Sequence, residues 1–186
     1  IMPFFQNVIR SACADGEVIF HLGSEIGPNP VYRLETEYGT VAVMHPGVGA
    51  PLAAAFMEEA IALGGRKFIA CGGAGVLKMG IDVEHIVVPD TAIRDEGTSY
   101  HYLPPEAEVS AHPDALSAIQ RTLTRHHLPY EIGRPWTTDA PYRETRDMVN
   151  DRIAQGCLTV EMETAAIMSV AQFRDVVFGQ LLYGGE

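Results

Sequence analysis

The stretch GCLTVEMETAAIMSV (Gly156–Val170) decides how the rest of the sequence is interpreted. Its apolar residues predict a strand at Thr159–Glu161 and a helix at Glu163–Phe173. Two carboxylates, those of Glu161 and Glu163, therefore stand at a strand-to-helix transition inside apolar sequence. Carboxylates are almost never fully buried without a partner, so each of the two is expected to meet a specific group.

Outward from this stretch, apolar runs alternate with amphipathic ones, which is typical of an α/β sheet with helices on its faces. The chain of 186 residues is long enough for one domain with a substantial core, so we expect a single domain over residues 1–186. The predicted strands are Val18–Leu22, Val31–Glu35, Thr40–His45, Lys67–Cys71, His85–Pro89, Thr159–Glu161 and Val176–Tyr183, and the predicted helices are Pro51–Leu63, Pro113–His127, Glu144–Gln155 and Glu163–Phe173.

Composition excludes several classes of function. A net charge of −11 argues against nucleic acid binding, which needs clustered Lys and Arg, although one or two arginines can still capture a small anion. Three scattered cysteines indicate a reducing compartment, and neither a signal peptide nor an apolar run near 18 residues is visible. We therefore expect a cytoplasmic protein without a membrane segment. The chain begins at Ile1 and stops at Glu186, so it is expected to be a fragment or to lack its ends.

Three glycine-rich segments follow predicted strands and are expected to be turns: HPGVGAP (His45–Pro51), CGGAG (Cys71–Gly75) and YGGE (Tyr183–Glu186). Ligands of α/β sheets bind outside the carboxyl ends of strands, so together these turns predict a ligand crevice. None of them carries the dinucleotide fingerprint or the lysine of a P-loop. The seven histidines show no metal-binding spacing, and a structural or surface role is expected for them.

Two partners are open for the carboxylates. The acids complement the positive N-terminal end of the predicted helix, or one of them accepts hydrogen bonds from a vicinal diol such as that of a ribose. Met162, between Glu161 and Glu163, would offer the sugar a soft apolar surface.

Four blocks of the sequence resemble the nucleoside phosphorylase and nucleosidase superfamily, in particular its uridine phosphorylase-like branch. Besides VEMETAA, they are VYRLETEYGTVAVMHPGVGAP (Val31–Pro51), FIACGGAGVLKMGIDVEHIVVPDTAIRDEGTSYHY (Phe68–Tyr102) and WTTDAPYRETRD (Trp136–Asp147). The resemblance implies an α/β, phosphorylase/hydrolase-like fold with a mixed, barrel-like central sheet flanked by helices. It also implies cleavage of the N-glycosidic bond of a nucleoside by phosphate or water, without a metal or another cofactor. A homodimer or hexamer with shared active sites is the expected assembly.

The resemblance also implies roles for individual residues. Glu163 would accept the ribose hydroxyls, Met162 would pack against sugar and base, and Glu161 would shape the turn. Arg33 would reach phosphate from a neighbouring subunit, and Arg94 would either bind phosphate or serve a structural role. The remaining candidates are Gly47 for phosphate, Gly49, Gly73, Thr138 and Arg146 for the nucleoside, and Glu186 as an acid for the leaving base.

The sequence departs from the family pattern at the phosphate site. The RxGTxG-type turn of the family has Ala70 and Gly73 in place of its arginine and threonine, and no GDPxR-type loop is recognisable in residues 1–30. Three functions therefore stay open: a uridine phosphorylase-like enzyme with an altered phosphate site, a nucleosidase that uses water, and a nucleoside-binding homologue without turnover.

Overall fold

The computed structural model describes residues 1–78, 80–81 and 85–185, so the candidate acid Glu186 lies outside the described residues. Strands and helices alternate along most of the chain, as the sequence pattern predicts. The strands are β1 (Met2–Pro3), β2 (Glu17–Leu22), β3 (Asn29–Thr36), β4 (Gly39–Met44), β5 (Lys67–Val76), β6 (Ile86–Pro89), β7 (Thr91–Asp95), β8 (Val109–Ser110), β9 (Tyr130–Thr138), β10 (Cys157–Glu161) and β11 (Val177–Gly185). The helices are α1 (Gln6–Ala12), α2 (Ala50–Ala62), α3 (Pro113–Arg125), α4 (Arg146–Ala154) and α5 (Thr164–Arg174).

Five strands of the central sheet close into a barrel in the order β5, β11, β6, β9, β10 and back to β5. Its ladders are mixed: β5 and β11 are parallel, β11 and β6 antiparallel, and β10 runs parallel to β9 but antiparallel to β5. Strand β11 pairs with β5 along its whole length, from Val177 opposite Lys67 to Gly185 opposite Gly75. The prediction of an α/β fold with a mixed, barrel-like sheet is confirmed.

A second, three-stranded antiparallel sheet, β2–β3–β4, leads the chain into the first part of the site. The amide of Met44, the last residue of β4, donates to the carbonyl of Ile1, which ties this sheet to β1. Strand β1 in turn runs parallel to β5, with Met2 opposite Ala70. The segments after β1 and β4 therefore lie beside the second half of β5.

Helix α5 forms the centre of the core. All of its residues from Thr164 to Ala171 are buried, because its alanines and small polar residues allow other elements to approach on every side. The main apolar cluster joins α5 to α2 and to β5 and β11. The first residues of α5 are consequently held in a fixed position relative to α2 and the barrel.

The prediction of a turn is wrong for two of the three glycine-rich segments. Gly72, Gly73 and Gly75 continue strand β5, and Gly184 and Gly185 continue β11, each within a regular parallel ladder. The ladder with β11 keeps the backbone extended here, and glycine suits Gly72 and Gly73 because a Cβ at either position would meet an aromatic ring. The third segment, His45–Pro51, does connect a strand to a helix, as expected.

Candidate functional site

Glu161, at the end of β10, holds the first turn of α5. Its carboxylate accepts hydrogen bonds from the amides of Glu163 and Thr164, both at 2.7 Å, and from the hydroxyl of Thr137 at 2.5 Å. Thr137 in turn accepts a hydrogen bond from the amide of Ala165 at 3.0 Å. Glu161 therefore meets the N-terminal end of α5, which is one of the partners that the sequence left open.

Glu163 is 7% exposed and points to the glycine turn between β4 and α2. Its Oε1 accepts a hydrogen bond from the amide of Gly49 at 2.6 Å, across 114 residues of sequence. Among the described residues, Oε2 has no donor at hydrogen-bonding distance, although the backbone amide of Met162 also favours the ionised form of this carboxylate. One oxygen of a buried carboxylate is thus fixed by the backbone, and the other is available to a donor from outside.

The two carboxylates influence each other. Burial and the negative charge of Glu161 raise the pKa of Glu163 to about 7, although the Gly49 amide favours the ionised form. Burial also raises the pKa of Glu161 against the opposing effect of its hydrogen bonds. Glu161 accepts three hydrogen bonds that favour its ionised form, whereas Glu163 accepts one, from the Gly49 amide.

The glycine turn is organised by His45, which the sequence did not single out. The amide of Gly47 donates to His45 Nδ1 at 3.0 Å, and Nε2 lies 3.2 Å from the carbonyl oxygen of Phe4. Burial lowers the pKa of His45. The amide of Gly47, predicted to approach phosphate, is therefore already bound within the chain.

An aromatic wall, defined as Phe4, Phe5 and Tyr183, lies beside the carboxyl ends of β1, β5 and β11. The ring of Phe4 covers Gly72, where a Cβ would be 2.8 Å from it, and the ring of Tyr183 covers Gly73 at 3.1 Å. Phe5 and Tyr183 pack together with ring centroids 5.5 Å apart. Gly73, a candidate for substrate binding, thus has an aromatic ring against its backbone.

The predicted phosphate arginines are engaged elsewhere within the chain. Arg33 lies on β3 and forms an exposed ion pair with Glu35 at 2.8 Å. Arg94 donates to Ser99 Oγ and to the carbonyl oxygens of residues 103, 104 and 107, so that it holds the loop after β7. These hydrogen bonds are those expected of the structural role of Arg94.

The other predicted residues differ in their surroundings. Met162 is half-buried between the two carboxylates, and Thr138 is buried at the end of β9, where its hydroxyl accepts from the amide of Ala140 at 3.2 Å. Arg146 is exposed at the first residue of α4. The structure therefore brings Glu161, Glu163 and the glycine turn together, and it gives Arg146 no described contact with them.

The described residues include neither a candidate metal cluster nor a helix that could span a membrane. They contain no group of three or more His, Cys, Asp or Glu side chains that could hold a metal ion. None of the described helices is both long and apolar enough to cross a membrane.

The comparisons place the chain among known proteins. The profile described as phosphorylase superfamily matches residues 13–183. The chain belongs to this superfamily. It is 28% identical over 176 residues to a guanosine phosphorylase from Halorubrum lacusprofundi, covering 93% of this chain and 70% of that protein. It is 27% identical over 144 residues to a uridine phosphorylase from Thermococcus kodakarensis, covering 70% of this chain and 52% of that protein.

A solved structure confirms the fold assignment of this superfamily member. The crystal structure of an AMP nucleosidase from Bacteroides thetaiotaomicron matches with a TM-score of 0.86 and 24% sequence identity, over 100% of this chain and 79% of that one. At this identity the similarity shows the fold alone. The names of these proteins refer to guanosine, uridine and AMP, which contain three different bases, so the names do not indicate one base for this chain.

Proposed function

We propose that this chain binds a nucleoside and cleaves its N-glycosidic bond, with Glu163 holding the sugar. The observation that carries the proposal is the Glu163 carboxylate, which is buried and fixed on one side by the Gly49 amide at 2.6 Å. Its other oxygen can accept hydrogen bonds from the vicinal hydroxyls of a ribose. Met162, half-buried beside it, would contact the apolar face of the sugar.

The mechanism follows from what these residues can do. Breaking the N-glycosidic bond makes the sugar oxocarbenium-like, and a carboxylate on its hydroxyls holds the ring while the base departs with the bonding electrons. The nucleophile adds to the anomeric carbon, and a proton goes to the base. No covalent bond to the protein is needed. Glu186 is the candidate from the sequence for the group that supplies this proton.

Phosphorolysis of a uridine-like nucleoside is the prediction from the sequence. A relative named uridine phosphorylase supports it, and inorganic phosphate would then be the co-substrate. The product would be the sugar 1-phosphate and free base. The same proposal includes a homodimer or hexamer in which Arg33 reaches the site of a neighbouring subunit. It also includes a cytoplasmic location.

Hydrolysis is the second candidate, because the donors that the sequence predicted for phosphate are absent or already donate within the chain. The Gly47 amide donates to His45, and the guanidinium of Arg94 donates to its own loop. Ala70 is fully buried and provides no donor from its side chain. Phosphate needs charge-assisted hydrogen bonds, whereas water as the nucleophile needs far fewer. Water would deliver its hydroxyl to the sugar and its proton to the base.

The test is release of free base from uridine, guanosine and adenosine, with and without inorganic phosphate. Cleavage only when phosphate is present, with sugar 1-phosphate as the product, supports phosphorolysis. Cleavage at the same rate without phosphate supports hydrolysis. Glu163→Ala is expected to weaken nucleoside binding by about 2–4 kcal/mol, because two hydrogen bonds to a charged group are lost. The exposed Glu25→Ala serves as the matched control. If wild type neither binds nor cleaves any of the three nucleosides, the proposal is wrong.

A further inference from the structure

His45 joins two separate parts of the site. It follows β4 directly, and it is half-buried. Both nitrogens of its ring contact backbone atoms: Nδ1 the amide of Gly47 at 3.0 Å, and Nε2 the carbonyl oxygen of Phe4 at 3.2 Å. The ring of Phe4 also packs edge-on against the imidazole, with centroids 5.9 Å apart.

These two contacts define the tautomer of His45. A backbone amide can only donate a hydrogen bond, so Nδ1 must keep its lone pair free to accept from Gly47. A backbone carbonyl can only accept, so the hydrogen must be on Nε2 and point to Phe4. A protonated imidazole would place an N–H group against the Gly47 amide. Burial, which lowers the pKa of His45, also favours the neutral ring.

The turn that His45 holds is the one that contacts Glu163. Gly47 and Gly49 have φ angles of +87° and +85°, in the region that favours glycine. The turn has two polar anchors: the Gly47 amide is bound to His45, and the Gly49 amide is bound to Glu163 at 2.6 Å. Because only one residue separates the two anchors, a change at the first is expected to shift the donor at the second.

The far side of His45 is rigid as well. The amide of Phe4 donates to the carbonyl oxygen of Cys71 at 2.9 Å, which continues the pairing of β1 with β5. The ring of Phe4 is seated on Gly72. His45 thus connects the barrel strand β5 to the glycine turn through a single imidazole.

We propose that His45 is a positioning residue for the sugar site: its imidazole fixes the glycine turn so that the Gly49 amide orients Glu163. The inference rests on the proposed function, since it assigns the orientation of the carboxylate that holds the ribose. His45 does not contact the reacting atoms. Its contribution is to keep one oxygen of Glu163 occupied and the other directed to the ligand.

Two variants separate the two contacts of His45. In His45→Asn, the amide oxygen takes the place of Nδ1 and still accepts from Gly47, but the side chain is too short to reach Phe4. In His45→Gln, the terminal amide takes the place of Nε2, and the Gly47 amide loses its acceptor. Losing the acceptor of a buried amide is expected to raise KM for the nucleoside about tenfold in His45→Gln, and His45→Asn is expected to recover most of that loss. The exposed His126→Gln is the matched control.

The NMR chemical shift of the Gly49 amide tests the link between His45 and Glu163 without an activity assay. In ¹⁵N-labelled protein, the amide proton of Gly49 is expected far downfield, because it donates to a carboxylate at 2.6 Å. It should move upfield in His45→Gln and stay near its wild-type position in His45→Asn and His126→Gln. The midpoint of thermal unfolding, recorded for each variant, identifies any that fails to fold, and the chemical shifts are compared only among folded variants.

The outcomes separate this inference from the function on which it rests. A Gly49 signal that is the same in wild type and His45→Gln overturns the inference, as does a His45→Asn signal displaced as far as that of His45→Gln. An active wild type whose KM is unchanged in His45→Gln overturns it too. A wild type that cleaves no nucleoside contradicts the proposed function instead, and the chemical shifts still decide whether His45 orients Glu163.

Discussion

Replacing Glu163 by glutamine is expected to weaken nucleoside binding and, at the same time, to stabilise the fold above neutral pH. The glutamine is nearly isosteric, and its carbonyl oxygen can still accept from the Gly49 amide. What disappears is a negative charge that is 7% exposed and lies next to the Glu161 carboxylate. Ionisation of Glu163 therefore lowers the free energy of unfolding of wild type. The neutral glutamine of the variant has no such effect.

The magnitude follows from the pKa of Glu163, which is raised from its ordinary value of 4.5 to about 7 in the folded chain. Between these two values the folded state holds a proton that the unfolded state has already released, so the free energy of unfolding falls as the pH rises. At about 1.4 kcal/mol per pKa unit, wild type loses roughly 3 kcal/mol relative to Glu163→Gln between pH 4.5 and pH 7. Above pH 7 the difference stays constant.

Urea unfolding of wild type and Glu163→Gln at pH 5 and pH 8 measures this difference directly. The variant is expected to gain stability over wild type at pH 8, with a much smaller difference at pH 5. Glu25→Gln, at an exposed position, should show the same small difference at both pH values. A Glu163→Gln difference that is the same at pH 5 and pH 8 would refute the reasoning, since no raised pKa would then be coupled to folding.

Three further substitutions test other contacts. Glu161→Ala removes the acceptor of two helix amides and one hydroxyl. It is expected to lower the free energy of unfolding, measured by urea titration, by roughly 2–4 kcal/mol. A loss below about 1 kcal/mol would contradict the structural role of Glu161. Arg94→Ala should speed proteolysis of the loop after β7, with His126→Gln unchanged, because four hydrogen bonds to that loop are lost. Gly72→Ala places a Cβ 2.8 Å from the ring of Phe4 and should lower the thermal midpoint at a cost of about 1–3 kcal/mol; an unchanged midpoint would show that Phe4 moves freely.

The sequence predicted the elements that have clear periodicity and missed those that lack it. Helix α2 was found to within one residue because proline and glycine mark its ends. Strand β9 was missed, since a glycine and a proline interrupt its apolar pattern and it is recognisable only by its pairing with β6, β7 and β10. The second half of β5 was mistaken for a turn for the same reason: three glycines provide no alternation to detect, and only the ladder with β11 shows that they are extended.

The candidate site was predictable where it depends on local sequence and unpredictable where it depends on distant contacts. The position of two acids at a strand-to-helix transition already offered the start of α5 as one of two possible partners, and it is the one that Glu161 meets. The contact of Glu163 with Gly49 spans 114 residues and leaves no local signal. His45 was counted among histidines without metal spacing, although its place directly before a glycine turn was the one sign of its role.

The pairing of β5 with β11 also determines when the site can exist during synthesis. These strands are joined along nine residues, yet Lys67 and its partner Val177 are separated by 110 positions, so the barrel closes only after β11 has been made. At roughly 5–20 residues per second, a ribosome takes roughly 5–20 s to deliver β11 after β5. During that interval the glycine-rich edge of β5 is unpaired and open to other strands. Newly made chains are therefore expected to be most prone to aggregation until β11 emerges.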